Sequence, residues 1–166
     1  MQRIFSEAET AESFAHDAPG FARTGAPGSL FVSIYVYLWF SWMICMDVKN
    51  LDEVPAFITK DGSEIRELLA HRNSAIRNQS LAEARVPAGG STLEHYHPKT
   101  EEIYYITAGA GRVRIENETR DVKSGDAIAI PPGRKHKLWN TGNEPLKLLC
   151  CCAPAYEHGD TVITET

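Results

Sequence analysis

The sequence predicts an all-β domain, a sandwich or barrel of short strands over residues 47–166, preceded by an N-terminal extension that stands outside it. Three observations predict this. From residue 47 onward the chain is a succession of short apolar-rich segments, and turn signals such as PAGG, AGAG, KSGD, PPGR and NTGNEP separate them at even spacing. No internal repeat, coiled-coil heptad or Gly-rich phosphate loop interrupts the pattern. The 166 residues suffice for one ordinary domain and fall short of two.

Taken in order, residues 1–29 carry Ala, Gly, Pro and acidic residues without a periodic apolar pattern. Residues 30–46, LFVSIYVYLWFSWMICM, are uncharged and strongly apolar. As a helix this stretch would be roughly 25 Å long, just under the roughly 30 Å hydrocarbon core of a bilayer. A secretory signal fits poorly, because Glu7, Glu9, Glu12 and Asp17 oppose only Arg3 and Arg23 and a small-residue cleavage site is missing. Two readings stay open. The stretch is a membrane anchor, with Lys49, Lys60 and Arg66 favouring a cytoplasmic barrel, or Met46, directly before DVKNLDEVPAF, is the natural start and the anchor vanishes. A membrane is a partner only in the first reading.

The segments that follow read as strands: SEIRELLA, NQSLAEARV, EEIYYITA, GRVRIEN, TRDVK, DAIAI, HKLWNT and LKLLCCCA. GAGR at Gly109–Arg112 reads as a hairpin turn between two of them, not as a nucleotide-binding loop. The cysteines are Cys45 and the run Cys150, Cys151 and Cys152. Neighbours in a strand face opposite ways, so the run cannot close into a thiolate cage; it reads as packing in a doubly buried strand after Leu146, Leu148 and Leu149. Reduced thiols suit the cytoplasm. A net charge of −5 supplies no basic field, so no nucleic-acid partner is expected.

The chemistry-bearing residues gather in two places. His95 and His97 form an HxH pair in a strand context, where residues i and i+2 face the same way and can meet one ion. Glu102 opens the next strand, EEIYYITA, and brings a carboxylate beside the imidazoles. His136 follows the Pro-Gly turn of PPGRKH on another strand. Mixed nitrogen and oxygen donors suit manganese, iron, cobalt, nickel and zinc.

The spacing of these residues resembles the two motifs of the cupin superfamily. Gly89, His95, His97, Glu102 and Gly109 match its first motif, G(X)5HXH(X)3,4E(X)6G, with the four-residue spacer. Gly125, Pro131, Gly133, His136 and Asn140 match its second, G(X)5PXG(X)2H(X)3N. The resemblance covers residues 76–155, and more loosely 47–166. It implies an antiparallel double-stranded β-helix, the jelly-roll β-barrel, and a homodimer. It implies that His95, His97, Glu102 and His136 hold one divalent transition metal ion per chain, with two coordination positions left for water or substrate. Spacing to Gly109 selects Glu102 rather than Glu101.

Strand parity extends this reading. Tyr104 and Ile106 should point inward with Glu102, and Leu138 with His136, while Ile103, Tyr105, Lys137 and Trp139 point outward. Tyr104 is then either a weak general acid behind the ligands or a wall residue. Tyr105 and Trp139, taken as one exposed patch, suggest the dimer interface. Gln79, Glu83 and Arg85 share a face that is either interior, with Arg85 against an anionic substrate, or solvated. Tyr156, His158 and Asp160 in AYEHGD form a lid or a surface tail. Two functions are expected to compete: a metal-dependent enzyme for a small polar molecule, of dioxygenase, decarboxylase, lyase or sugar isomerase type, and a non-catalytic module that binds or senses a small ligand such as a sugar.

Overall fold

The computed structural model describes residues 46–165. All of the apolar stretch 30–46 except Met46 lies outside the described residues. Within them, no helix is long and apolar enough to cross a membrane.

Eleven strands run β1 Phe57–Ile58, β2 Glu64–Leu69, β3 Ser80–Val86, β4 His95–Tyr96, β5 Glu101–Ala108, β6 Ala110–Ile115, β7 Glu118–Lys123, β8 Ala127–Ile130, β9 His136–Asn140, β10 Leu146–Ala153 and β11 Val162–Ile163. They form a six-stranded sheet in the order β1-β2-β3-β10-β5-β8 and a five-stranded sheet in the order β11-β4-β9-β6-β7. Every pairing is antiparallel. The two-sheet β-barrel expected from the motifs is what the chain builds.

The inner faces of the two sheets meet in one apolar core. Ala84, Val86, Tyr104, Ile106, Leu148 and Cys150 come from the six-stranded sheet, and Val113, Val122 and Leu138 from the five-stranded one. Alternation decides which residues enter it. In β5 every second residue from Glu102 to Ile106 is buried and its neighbours are exposed. In β9 His136, Leu138 and Asn140 are buried. In β10 Leu146, Leu148, Cys150 and Cys152 are buried, while the intervening residues are only half-buried. The strand is therefore not doubly buried as its composition implied; one face is fully covered.

Several expectations are corrected. GAGR is a corner rather than a hairpin, because β5 pairs with β10 and β8 whereas β6 pairs with β7 and β9. The chain crosses between sheets at Gly109, whose φ of +89° favours glycine. Tyr105 and Trp139 do not share a patch. Both point outward, but from different sheets whose inner faces meet in the core, so they lie on opposite outer faces. Trp139 is also covered by the cationic groups of Arg114 and Lys137 over its ring. Glu83 and Arg85 face away from the core residues Ala84 and Val86 and pair with each other at 2.5 Å, and Gln79 is exposed ahead of β3. AYEHGD is not a free tail. Ala155 and Thr161 are buried, and β11 beyond them pairs with β4.

Candidate metal centre

The five-stranded sheet supplies His95 and His136, the position just past its strand β4 supplies His97, and the six-stranded sheet supplies one carboxylate. β4 lies beside β9 with His95 directly opposite His136, and their ring centroids are 4.2 Å apart. His97, two residues on, takes the same inward face, with its ring 5.2 Å from His95 and 5.6 Å from His136. The backbone N–H of Gly133 donates to His97 O at 2.7 Å, tying the Pro-Gly turn before His136 to the HxH segment. Glu102 reaches across from β5. One potential ligand atom from each of the four residues lies within 4.8 Å of the other three, and all four residues are buried.

The hydrogen bonding fixes which atoms converge. His95 Nδ1 lies 2.8 Å from Leu93 O, His136 Nδ1 3.0 Å from Arg134 O, and His97 Nδ1 3.3 Å from Asp160 O. A carbonyl oxygen can only accept, so in each ring the proton sits on Nδ1 and the Nε2 lone pair is free. Glu102 Oε2 is 3.6 Å from His97 Nε2 and 3.5 Å from His136 Nε2, too long for strong hydrogen bonds. Glu102 Oε2 and His136 Nε2 are buried polar atoms with no hydrogen-bond partner. Such orphaned atoms are costly in a folded interior. A divalent cation among them would satisfy both, since two donors roughly 2.1 Å from one ion sit about 3 to 3.4 Å apart. The donor set fits a metal ion.

The surrounding electrostatics suit such an ion. Burial raises the cost of charging Glu102, but the neighbouring His136 and His97 outweigh it and hold the carboxyl well below the usual range. Burial, then the neighbouring His136, lowers the pKa of His95. Burial also works to lower that of His97, yet contact with Glu102 leaves it raised. Tyr104, inward as expected and with its ring 5.9 Å from His136, is pushed far up by burial and then by the charge of Glu102, so its hydroxyl stays protonated. It is a wall residue that can donate.

Cys152, read from the sequence only as packing, and Asp160, read only as part of a lid or tail, complete the site. Cys152, paired with Glu102 across β5 and β10, donates its thiol to Glu102 Oε1 at 3.4 Å. Parity along the cysteine run could have found it. Asp160 holds the turn before Glu102 by accepting from Lys99 N at 3.2 Å and Thr100 N at 3.1 Å, while its carbonyl faces His97. Lys60 Nζ fastens that segment through His158 O at 2.7 Å and Thr161 O at 3.2 Å. These links join positions distant in sequence and leave no local signal.

Beside the four residues lies a cavity lined by Ile65, Ala82, Ala84, Val86 and Leu148 on its apolar side and by Thr59, Asp61, Ser63, Tyr156 and Thr161 on its polar side. About 50 Å³ of it is open to the centres of water molecules. That is space for a few waters or a compact ligand.

A family model described as cupin domain matches residues 82–152. An uncharacterized protein of Methanocaldococcus jannaschii is 54% identical over 125 residues, covering 74% of this chain and the whole of that protein. Among solved structures, the polyketide cyclase RemF from Streptomyces resistomycificus superposes with a TM-score of 0.63 at 22% identity, over 74% of this chain and 87% of that one. A Thermotoga maritima protein described as a predicted oxalate decarboxylase superposes with a TM-score of 0.58 at 27% identity, over 64% of this chain and 98% of that one.

Proposed function

We propose, from the premise that this chain belongs to the cupin family, that it is a metal-dependent enzyme for a small polar molecule, with His95, His97, Glu102 and His136 as the ligands of one divalent transition metal ion. The observation that carries the reading is the pair of orphaned buried atoms, Glu102 Oε2 and His136 Nε2, at the point on which two further Nε2 lone pairs converge. Manganese, iron, cobalt, nickel and zinc all accept this donor set. A bound ion of this kind supplies a Lewis acid for a carbonyl or carboxylate oxygen and open positions for water or dioxygen.

The protein's own part is to hold and shield. Carbonyls of Leu93, Arg134 and Asp160 fix the three rings, and Cys152 holds one oxygen of Glu102. The apolar wall keeps bulk water from the reacting atoms, and Tyr104, protonated at neutral pH, offers a hydroxyl from the inner face. Dioxygenation, decarboxylation, lyase chemistry and sugar isomerisation are the reaction classes in view. Of the activities named for the two structures, the oxalate decarboxylation predicted for the Thermotoga protein falls within that panel and the polyketide cyclisation of RemF widens it.

Elemental analysis of the purified protein should find about one metal ion per chain, and His97→Ala should lose most of it; full occupancy in that variant would overturn the ligand set. Turnover or oxygen uptake by metal-loaded protein on oxo acids, catechols and sugar phosphates then tests the enzyme reading. Tight binding without turnover would replace it with the binding-module reading.

A further inference from the structure

The cavity has a second fixed point that is not part of the metal cluster. Asp61 sits in the turn joining β1 to β2, where Gly62 has a φ of +88°. Its side chain lines the cavity and is only 7% exposed. One oxygen is fully used. Oδ1 accepts from the hydroxyl of Thr59, from Ser63 Oγ at 2.8 Å and from Ser63 N at 3.2 Å. Oδ2 makes no hydrogen bond to any described residue, and no Lys, Arg or His among them pairs with the carboxylate. The turn is tied to the metal-bearing segment, because Leu93 N donates to Asp61 O at 2.7 Å two residues before His95. Asp61 therefore keeps a fixed position relative to the cluster.

The charge of the cavity wall points the same way. Its charged non-histidine lining residues are Asp61, Glu67 and Glu102; neither Lys nor Arg lines it among the described residues. Glu67 is neutralised from outside by Arg72. Glu102 faces the imidazoles. Only Asp61 presents an uncompensated negative oxygen, in a cavity whose lining also holds the apolar Ala82, Ala84 and Val86.

We propose that Asp61 is a substrate-binding residue whose free oxygen accepts a hydrogen bond from a hydroxyl of the molecule held at the metal cluster, and that it makes the cavity select compact, uncharged, hydroxyl-bearing molecules over dianions such as dicarboxylates and phosphate esters. The inference rests on the metal reading above. A hydroxyl on a buried carboxylate replaces a lost water contact with a charge-assisted bond. A dianion there meets like charge at close range with no protein cation to offset it.

The test uses full-length, zinc-loaded protein, titrated calorimetrically with hydroxyacetone, an uncharged hydroxy ketone whose hydroxyl keeps its proton when it meets a metal ion, and with oxalate, a dianion without donors at neutral pH. Both reach a metal ion through two oxygens, so the protein wall sets how a substitution alters their relative affinity. Asp61→Asn should weaken hydroxyacetone about tenfold or more and strengthen oxalate by a similar factor. Opposite shifts are a signature that a merely structural role for Asp61 would not produce. Ser63→Ala, which loosens the carboxylate while keeping its charge, should weaken hydroxyacetone severalfold without strengthening oxalate, and it carries the test should Asp61→Asn not fold. Both ligands moving together in Asp61→Asn, or unchanged hydroxyacetone binding in Ser63→Ala, would overturn the proposal. Zinc content is measured in the same samples. A wild-type protein that takes up no zinc overturns the metal reading and this inference with it, whereas a fully zinc-loaded protein lacking these shifts overturns this inference alone.

Discussion

At the scale of single residues the centre divides its labour between atoms of one side chain. Each histidine spends Nδ1 on a carbonyl and keeps Nε2. Glu102 receives the Cys152 thiol on one oxygen and leaves the other bare. Cys152→Ala should leave the fold intact and lower metal affinity about tenfold, the usual effect of losing a group behind a ligand. Cys151→Ala, on the outward face of the same strand, should leave affinity unchanged, and a competition titration with a chromogenic chelator compares the two. Protons compete for the same lone pairs. Because Glu102 is held below the usual carboxylate range and His97 above its ordinary 6.5, imidazole rather than carboxyl protonation displaces the ion. Metal should be retained at alkaline pH and released as the pH falls through the histidine range, before the range of ordinary carboxyls is reached. Equilibrium dialysis across pH 8 to 4 reads this directly.

At the scale of elements, close approach between strands sets the tightest constraint. A Cβ on Gly111 in β6 would lie 2.6 Å from Trp139 O and 2.8 Å from a methyl of Leu146. Gly111→Ala should therefore cost roughly 1–3 kcal/mol, measurable by urea denaturation, while Gly159, with open space around its Cβ position, should tolerate alanine. The long strands were legible because alternation recurs over many residues: EEIYYITA and LKLLCCCA coincide with β5 and β10. β1, β4 and β11 have two residues each and no room for a period. The corner at Gly109 looked like a hairpin because the same turn chemistry serves a reversal within a sheet and a crossing between sheets. The four-residue cluster was legible because motif spacing encodes it. Asp160 was not, since its partners Lys99 and Thr100 lie far along the chain, nor was Asp61, since only the folded cavity brings it to the cluster.

At the scale of the whole molecule, an ion at this cluster would tie the two sheets together, since His95 and His136 belong to one sheet, His97 directly follows β4 of that sheet, and Glu102 belongs to the other. Removing metal by a chelator should lower the thermal midpoint by roughly 10 °C, given that free metal at a thousandfold over its dissociation constant stabilises by about 4 kcal/mol. The archaeal relative aligns over its whole length with 74% of this chain. A fragment of residues 46–166 is accordingly expected to express as folded, metal-binding protein; aggregation of that fragment, seen by size-exclusion chromatography, would give the first 45 residues a structural role.

The position of β10 between β3 and β5 also bears on biosynthesis. β3 and β5 leave the ribosome early, yet each keeps an unpaired edge until residues 146–153 emerge to join them. Until then the nascent chain carries two open edges, the surfaces most prone to pairing with another molecule. The Asp160 carbonyl that orients His97 arrives later still. A ribosome-stalled chain ending before residue 146 should be rapidly degraded in a pulse of protease, and one extended past residue 165 by the length of the exit tunnel should resist. Residues 146–166, about the last eighth of the polypeptide, would thus act as a timer, so that the centre could not hold an ion firmly until translation of the barrel is finished.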